Sequence, residues 1–209
     1  MRLAGNLLRK AGELIDEDAP LVVEGAGHVG RGAFKLEHAL EVFRLDPKGK
    51  LVIDIGASTG GFTEILLGRG AREVHAVDVG TGQLAAQLRG DARVINREGT
   101  HILHVTAPPL FEAAVMDLSF ISIGKIINHV RTLLSADAWL VALVKPQFEA
   151  GPQRLPKDGV LKDAKLREEI LQEVLATIQG AGFKVVAVTD SPIAGKSGNH
   201  EYLAHLACC

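Results

Sequence analysis

From residue 34 onward, amphipathic segments alternate with short apolar segments, and this alternation restricts the fold more than any other feature of the sequence. Helices are predicted at residues 34–43, 60–68 and 81–89, directly after Ser122, and at 163–180. Strands are predicted at residues 50–55, 73–78, 93–97, 112–118, 138–145, 184–190 and 201–208. Such alternation is typical of an α/β protein whose mostly parallel sheet carries helices on both faces. The last two strands have no helix between them, so we expect them to form an antiparallel edge.

The composition excludes several classes of protein. The chain has 209 residues, of which 47% are hydrophobic, and this is enough for one sizeable core. Its formal net charge is −2, so any binding of nucleic acid must come from a local basic patch. The two cysteines, Cys208 and Cys209, are adjacent and cannot form a disulfide framework. No segment resembles a signal peptide or approaches the ~20 apolar residues of a membrane helix, so we expect a cytoplasmic protein without a membrane partner.

The stretch LVIDIGASTGGFTEILL, residues 51–67, predicts a ligand site between a strand and a helix. The predicted strand ends at Asp54 and is followed by small or hydroxyl-bearing residues. These residues are Gly56, Ser58, Thr59, Gly60 and Gly61. Glycines allow a tight turn and let a ligand lie against bare backbone, while Ser58 or Thr59 is expected to cap the helix. The free amide groups at a helix N-terminus favour an anionic ligand group.

The type of ligand follows from two carboxylates. Asp78 ends the second predicted strand, where an acid accepts hydrogen bonds from the hydroxyls of a ribose. The phosphate-binding G-x-G-x-x-G pattern is absent, and Asp54 would repel a pyrophosphate but attract an ammonium group. A ligand with an amino-acid head and an adenosine tail fits best, and S-adenosylmethionine has both. The alternative is a tight strand-to-helix turn that binds nothing.

A second group of charged residues is expected at the same edge of the sheet. Asp117 and Lys145 each end a predicted strand, Glu201 opens the last strand, and Lys35 starts the first helix. Two amines and two carboxylates around a methyl donor suit methyl transfer to a hydroxyl group, because an unprotonated amine can take the hydroxyl proton. Each residue could instead be a solvated charge, and the four could form an ion-pair network without chemistry.

No metal is needed for this chemistry, and the histidines show no ligand spacing. We expect the side chains of four of them to lie on the surface or on helix faces. These are His101, His104, His129 and His205.

Longer strings around these residues indicate a family. Lys35, Asp117, Lys145 and Glu201 resemble the Lys-Asp-Lys-Glu tetrad of the FtsJ-type ribose 2′-O-methyltransferases. The strings GRGAFKLEHAL, DIGASTGGFTEILLGRGA, VDVGTGQLA, DLSFISIGKI, LVKPQFEAG and SPIAGKSGNHEYL resemble the TlyA (haemolysin A-like) family of ribosomal RNA methyltransferases. The resemblance covers about residues 28–206.

The resemblance implies a Rossmann-like class I methyltransferase fold with seven strands, of which the last is antiparallel. It also implies S-adenosylmethionine as the cofactor and cytidine 2′-hydroxyls of ribosomal RNA, free or in ribosomal subunits, as the substrate. The cofactor contacts expected from it include Asp117 of the tetrad and four further residues. These further residues are Phe62, Val79, Glu98 and Gly99.

The sequence differs from the family pattern at several places. Residues 1–31 are similar only to the end of the family's N-terminal alpha-L type RNA-binding domain plus its linker, so the methyltransferase domain is expected at residues 32–209. Thr81 and Ala86 stand where the family has Tyr and Trp, and His101 stands where it often has Asn. None of these differences affects the tetrad.

Two other functions are compatible with parts of the sequence. One is a small-molecule O-methyltransferase, and the other is an RNA-binding or cytolysin-like protein without catalysis. Basic residues in loops near the expected site would supply phosphate contacts to an RNA without reading its sequence. They are Arg31, Lys35, Lys125, Arg154, Lys157, Lys162 and Lys196.

Overall fold

The computed structural model describes residues 27–107 and 109–209, together with the backbone of three short strands near the N-terminus. These strands are β1 (Arg2–Leu3), β2 (Asn6–Leu7) and β3 (Leu21–Val22). They form an antiparallel sheet of their own in the order β2-β1-β3. Residues 27–31 of the expected N-terminal remnant are also described, and its other residues lie outside the described part of the chain.

Seven strands form the main sheet. They are β4 (Leu51–Ile55), β5 (Glu73–Val77), β6 (Val94–Arg97), β7 (Phe111–Met116), β8 (Leu134–Val144), β9 (Phe183–Asp190) and β10 (Tyr202–Cys208). Their order is β6-β5-β4-β7-β8-β10-β9, and β10 runs antiparallel to both of its neighbours. The α/β fold with an antiparallel last strand is therefore confirmed. The antiparallel strand lies one position inside the edge of the sheet, because β10 inserts between β8 and β9.

Helices cover both faces of this sheet, as predicted. They are α1 (Gly32–Phe43), α2 (Gly61–Gly68), α3 (Ala86–Arg89), α4 (Ile127–Leu133), α5 (Pro146–Glu149), α6 (Gly151–Arg154) and α7 (Ala164–Gly180). Short 3-10 turns lie at Ile102–His104 and Ile123–Lys125. The apolar residues of α1 and α2 pack into one core, and those of α4 and α7 pack into a second core on the opposite face.

Helix α1 buries most of the apolar face that the sequence predicts, since Leu36, Ala39 and Leu40 are at most 2% exposed. Phe34 departs from this pattern and is 51% exposed, whereas Lys35 is only 7% exposed. The buried Lys35 amine donates to the carboxylate of Glu201, which is 166 residues away in the sequence.

The helix predicted at 81–89 is confined to Ala86–Arg89. Two contacts explain the shortening. The Glu98 carboxylate accepts hydrogen bonds from the backbone amides of Gln83 and Leu84, and Gly82 adopts a positive φ of 69°. These contacts hold the preceding residues in a loop.

The expectation that Ser58 or Thr59 caps α2 is wrong. The N-cap residue is Gly60, in a left-handed conformation with φ 94° and without a side-chain cap. The Ser58 hydroxyl donates instead to Gln83 Oε1 at 3.2 Å. The first amides of α2 therefore remain available to a ligand.

Candidate active site

The strand register brings the predicted charged residues to one edge of the sheet. Ile55 of β4 lies beside Met116 of β7, so Asp117 follows directly next to Gly56. Tyr202 of β10 lies opposite Val144 of β8, so the residues Glu201 and Lys145 are also neighbours. These residues meet because the ends of β4, β7 and β8 and the start of the antiparallel β10 lie at the same edge of the sheet.

Two ion pairs lie at this edge of the sheet, one partly buried and one buried. Lys145 Nζ lies 2.5 Å from Asp117 Oδ1, and Lys35 Nζ lies 2.6 Å from Glu201 Oε2. Gln147, two residues after Lys145, donates from Nε2 to Glu201 Oε1 at 3.3 Å and so links the pairs. The four predicted residues therefore form two defined pairs, each with one amine and one carboxylate.

Two cavities open beside the first pair. The larger has a volume of about 460 Å³ and the smaller about 190 Å³, and Gly56, Ser58 and Asp117 line both. Predicted cofactor residues Asp78 and Val79 line the larger cavity. Other predicted residues line the smaller cavity: Thr59, Gly61 and Phe62. The two cavities share lining residues and therefore form one continuous cleft. Their junction lies at the ends of β4 and β7.

Gly56 is required where the two cavities meet. Its φ is 88°, and a Cβ built on it would lie 2.4 Å from the backbone oxygen of Asp117. A side chain at this position would collide with the neighbouring strand end and fill the junction. The bare backbone here therefore keeps the cleft continuous.

Asp78 and Glu98 organise the loops that surround the larger cavity. Asp78 accepts hydrogen bonds from the amides of Ser58 at 2.8 Å and Gly80 at 2.7 Å, one on each carboxylate oxygen. Each oxygen keeps a free lone pair, so Asp78 can also accept from a diol. Hydrogen bonds from the Asn96 side chain and from backbone amides lower the pKa of Glu98 to about 2.

Two of the predicted cofactor residues, Glu98 and Gly99, do not line either cavity. Glu98 acts on the loop that carries Gln83, and that glutamine does line the larger cavity. A Cβ on Gly99 would lie 3.3 Å from the Thr81 side chain, so Gly99 packs behind the cavity wall. Gly60 likewise lies outside the lining, packed against Leu88.

Asp54 lies in the interior behind the cleft. Its side chain is fully buried, and Oδ2 accepts a hydrogen bond from the Thr63 hydroxyl at 2.7 Å. Burial is the main cause that raises the pKa of this carboxyl to about 7. Oδ1 has no hydrogen-bond partner. In this structure Asp54 supports the turn from behind, whereas the sequence suggested direct contact with an ammonium group.

The sequence reasoning missed several residues that line the larger cavity, and Ser119 and Phe120 are the most informative. The Ser119 hydroxyl accepts a hydrogen bond from Lys145 Nζ at 3.0 Å. Phe120 is 90% exposed, has a positive φ of 64°, and its ring centre lies 4.9 Å from that of Phe148. Both residues directly follow Asp117 in the string DLSF, and this adjacency is the signal that could have identified them.

His101, expected on the surface or on a helix face, is half-buried and lines the larger cavity together with Thr100 and Ile102. Its Nδ1 accepts a hydrogen bond from the amide of Leu103 at 3.2 Å and caps the short 3-10 turn. Nε2 therefore carries the proton in the neutral ring and is a hydrogen-bond donor.

Some of the basic residues near the cleft form hydrogen bonds or ion pairs within the protein. Arg154 forms a bidentate ion pair with Glu173 at 2.7 and 2.8 Å, and Lys162 pairs with Asp158 at 3.2 Å. The Arg31 guanidinium donates to the carbonyl of Ala194 at 2.6 Å. A further set has exposed side chains: Lys125, Lys157 and Lys196.

Within the described part of the chain, no group of three or more His, Cys, Asp or Glu residues is placed to hold a metal ion. The same residues include no helix that is both long enough and apolar enough to cross a membrane.

Comparison with known proteins gives consistent results. FtsJ-like methyltransferases match residues 28–208 of the chain. The chain is 45% identical over 181 residues to the 16S/23S rRNA (cytidine-2'-O)-methyltransferase TlyA of Mycobacterium tuberculosis, covering 85% of this chain and 68% of that protein. It is 42% identical over 200 residues to hemolysin A of Brachyspira hyodysenteriae, covering 94% and 83% of the two chains.

The fold agrees with these relatives. A solved structure from Streptococcus thermophilus, described as a candidate hemolysin, superposes with a TM-score of 0.84 at 42% identity and covers 91% of this chain and 70% of that one. The chain therefore belongs to the FtsJ-like methyltransferase family.

Proposed function

We propose that this chain is an S-adenosylmethionine-dependent ribose 2′-O-methyltransferase that acts on ribosomal RNA, with cytidine as the target nucleotide. The observation that carries this proposal is the Lys145–Asp117 ion pair, whose carboxylate lines both cavities of the cleft. The amine held beside that carboxylate can serve the hydroxyl that receives a methyl group.

The cleft fits the cofactor along its length. Asp78 offers both oxygens to the ribose hydroxyls, and the larger cavity beside it suits the adenine. The smaller cavity lies at the uncapped N-terminus of α2, whose amides can bind the carboxylate of the methionine end. The junction at Gly56 then receives the sulfonium centre. When bound, S-adenosylmethionine supplies an activated methyl group.

The four tetrad residues have different roles in methyl transfer. Lys145, in its neutral form, takes the proton of the ribose 2′-hydroxyl as the oxygen attacks. Asp117 holds the amine in place at 2.5 Å and stabilises the ammonium that forms. The Lys35–Glu201 pair holds the N-terminal end of α1 against the start of β10, so that the smaller cavity keeps its shape.

The mouth of the cleft suits a nucleic acid. Phe120 exposes almost its whole ring beside the catalytic pair, and exposed aromatic rings stack on unpaired bases. The exposed amines of Lys125, Lys157 and Lys196 can contact phosphates. Ribosomal RNA as the substrate is supported by the names of the relatives, among them a 16S/23S rRNA (cytidine-2'-O)-methyltransferase.

We propose that the N-terminal part of the chain contributes to RNA binding and that the rest carries out catalysis. Residues 1–31 comprise the remnant of an RNA-binding domain and its linker, and residues 32–209 form the methyltransferase domain. The support is that β1, β2 and β3 belong to a sheet distinct from the seven-stranded one. A ribosomal RNA substrate would place the protein in the cytoplasm.

The proposal is tested with Lys145→Ala and a matched control, Lys184→Ala, on the outermost strand β9. Ribosomal subunits and extracted ribosomal RNA are incubated with labelled cofactor, and transfer is measured. We expect Lys145→Ala to lose ~10²–10⁴-fold in rate, while its affinity for S-adenosylhomocysteine and the activity of Lys184→Ala stay unchanged.

A Lys145→Ala variant with the wild-type rate would refute the assignment of the base. Methylation of small phenols in place of RNA would instead favour a small-molecule O-methyltransferase. Absence of cofactor binding by the wild-type chain would favour an RNA-binding or cytolysin-like protein without catalysis.

A further inference from the structure

The Lys145 amine has two oxygen partners, and only one of them belongs to the predicted tetrad. Asp117 Oδ1 lies 2.5 Å from Nζ, and Ser119 Oγ lies 3.0 Å from it. Ser119 is exposed and lines the larger cavity, whereas Lys145 is only 8% exposed. The serine hydroxyl therefore lies between the buried amine and the open cleft.

The hydrogen bond to Ser119 orients the Lys145 amine. A neutral amine has two N–H bonds and one lone pair, arranged tetrahedrally with the Cε–Nζ bond. Asp117 Oδ1 lies at ion-pair distance but accepts no hydrogen bond, so it attracts the amine without fixing its rotation. The hydrogen bond to Ser119 Oγ holds one N–H bond in place and leaves the lone pair only the two remaining directions.

We infer that Ser119 is a positioning residue that aims the lone pair of Lys145 at the substrate hydroxyl. This inference rests on the proposed function, since it assumes that Lys145 is the base. The proton leaves the 2′-oxygen for Nζ while that oxygen forms its bond to the methyl carbon, and the methyl–sulfur bond breaks with its electron pair going to sulfur. The resulting ammonium keeps one N–H bond on Ser119 and its charge beside Asp117, and one of its other two N–H bonds holds the transferred proton.

The surroundings of Ser119 separate this role from a structural one. Its hydroxyl is exposed, and its described side-chain contact is the hydrogen bond from Lys145. Replacement by alanine removes that acceptor without opening a cavity in the core. The effect should therefore fall on turnover, with little effect on folding or on cofactor binding.

The test compares Ser119→Ala, Ser119→Thr and a control, Ser135→Ala, near the opposite end of β8. For each variant we would measure kcat and KM for ribosomal RNA, affinity for S-adenosylhomocysteine and the melting temperature. We expect Ser119→Ala to lower kcat about tenfold, with KM and cofactor affinity changed by less than about twofold. Ser119→Thr retains the hydroxyl and should restore at least about half of the wild-type kcat, and Ser135→Ala should match the wild type.

A Ser119→Ala variant with the wild-type kcat would overturn the inference while leaving the proposed function intact. The same holds if Ser119→Thr is no better than Ser119→Ala, or if the loss lies in cofactor affinity or stability. A wild-type chain that transfers no methyl group to RNA would overturn the proposed function and this inference together. A kcat loss in Ser119→Ala that threonine repairs would support it.

Discussion

Replacing Glu201 with glutamine isolates the energetics of the second buried pair. Lys35 and Glu201 are 7% and 3% exposed, and their charged atoms lie 2.6 Å apart. Glu201→Gln keeps the shape of the side chain but leaves the Lys35 ammonium buried without a counter-charge. Gln147, which donates to the other oxygen of Glu201, can still find an acceptor.

The expected cost follows from the burial of both groups. Removing one partner of a buried ion pair destabilises a protein by about 3–5 kcal/mol, because the remaining charge stays desolvated. The glutamine oxygen can still accept a hydrogen bond from the Lys35 amine, so we expect the lower end, about 3 kcal/mol. For a chain of this size, that corresponds to a fall in melting temperature of about 6–12 °C.

A double variant tests whether charge causes the loss. Lys35→Met combined with Glu201→Gln removes the stranded ammonium, so we expect it to recover at least about 2 kcal/mol of the loss. Urea denaturation at neutral pH measures all variants, and methyl transfer is assayed in parallel. We expect the double variant to remain inactive although it regains stability.

Two results would refute this reasoning. A Glu201→Gln variant as stable as the wild type would mean that the pair is not a coupled, desolvated unit. A double variant no more stable than Glu201→Gln would mean that packing, and not the buried charge, is responsible.

Three further predictions concern the turn and the cleft. The pKa of Asp54 is raised from 3.8 to about 7, so its contribution to stability is complete below about pH 4 and is lost as pH rises through about 7. Urea denaturation across that range should show wild type losing a few kcal/mol relative to Asp54→Asn, and parallel curves would contradict this. Gly56→Ala should abolish binding of S-adenosylhomocysteine, measured by calorimetry, because the new Cβ would lie 2.4 Å from the Asp117 carbonyl oxygen. Unchanged affinity would show that the cofactor does not cross this junction. Phe120→Gly removes an exposed ring from a residue with a φ of 64°, so the free energy of unfolding should change by less than about 1 kcal/mol. The rate of RNA methylation should fall about tenfold. An unchanged rate would exclude base stacking on this ring.

The sequence predicted the sheet well because its signals are local. Apolar runs such as LVIDI and AWLVALV mark strands whose observed positions overlap every prediction, and the missing helix before the last strand predicted its antiparallel pairing. The glycine-rich turn after Asp54 was likewise predicted, because a run of small residues between a strand and a helix is typical of a tight turn.

The errors arose where distant contacts override local preference. The helix predicted at 81–89 is shortened because Glu98 binds the backbone amides of the preceding loop. Composition and spacing alone do not reveal that Ser119 contacts Lys145, since this contact depends on how far β7 and β8 extend beside each other.

The most direct measurement of the central claim is mass mapping of ribose methylation on ribosomal RNA that has been incubated with the chain and isotope-labelled cofactor. We predict label on a cytidine 2′-oxygen with the wild-type chain, and loss of that label with Lys145→Ala under identical conditions. Label on a base in place of a ribose, or equal labelling by Lys145→Ala, would contradict the account.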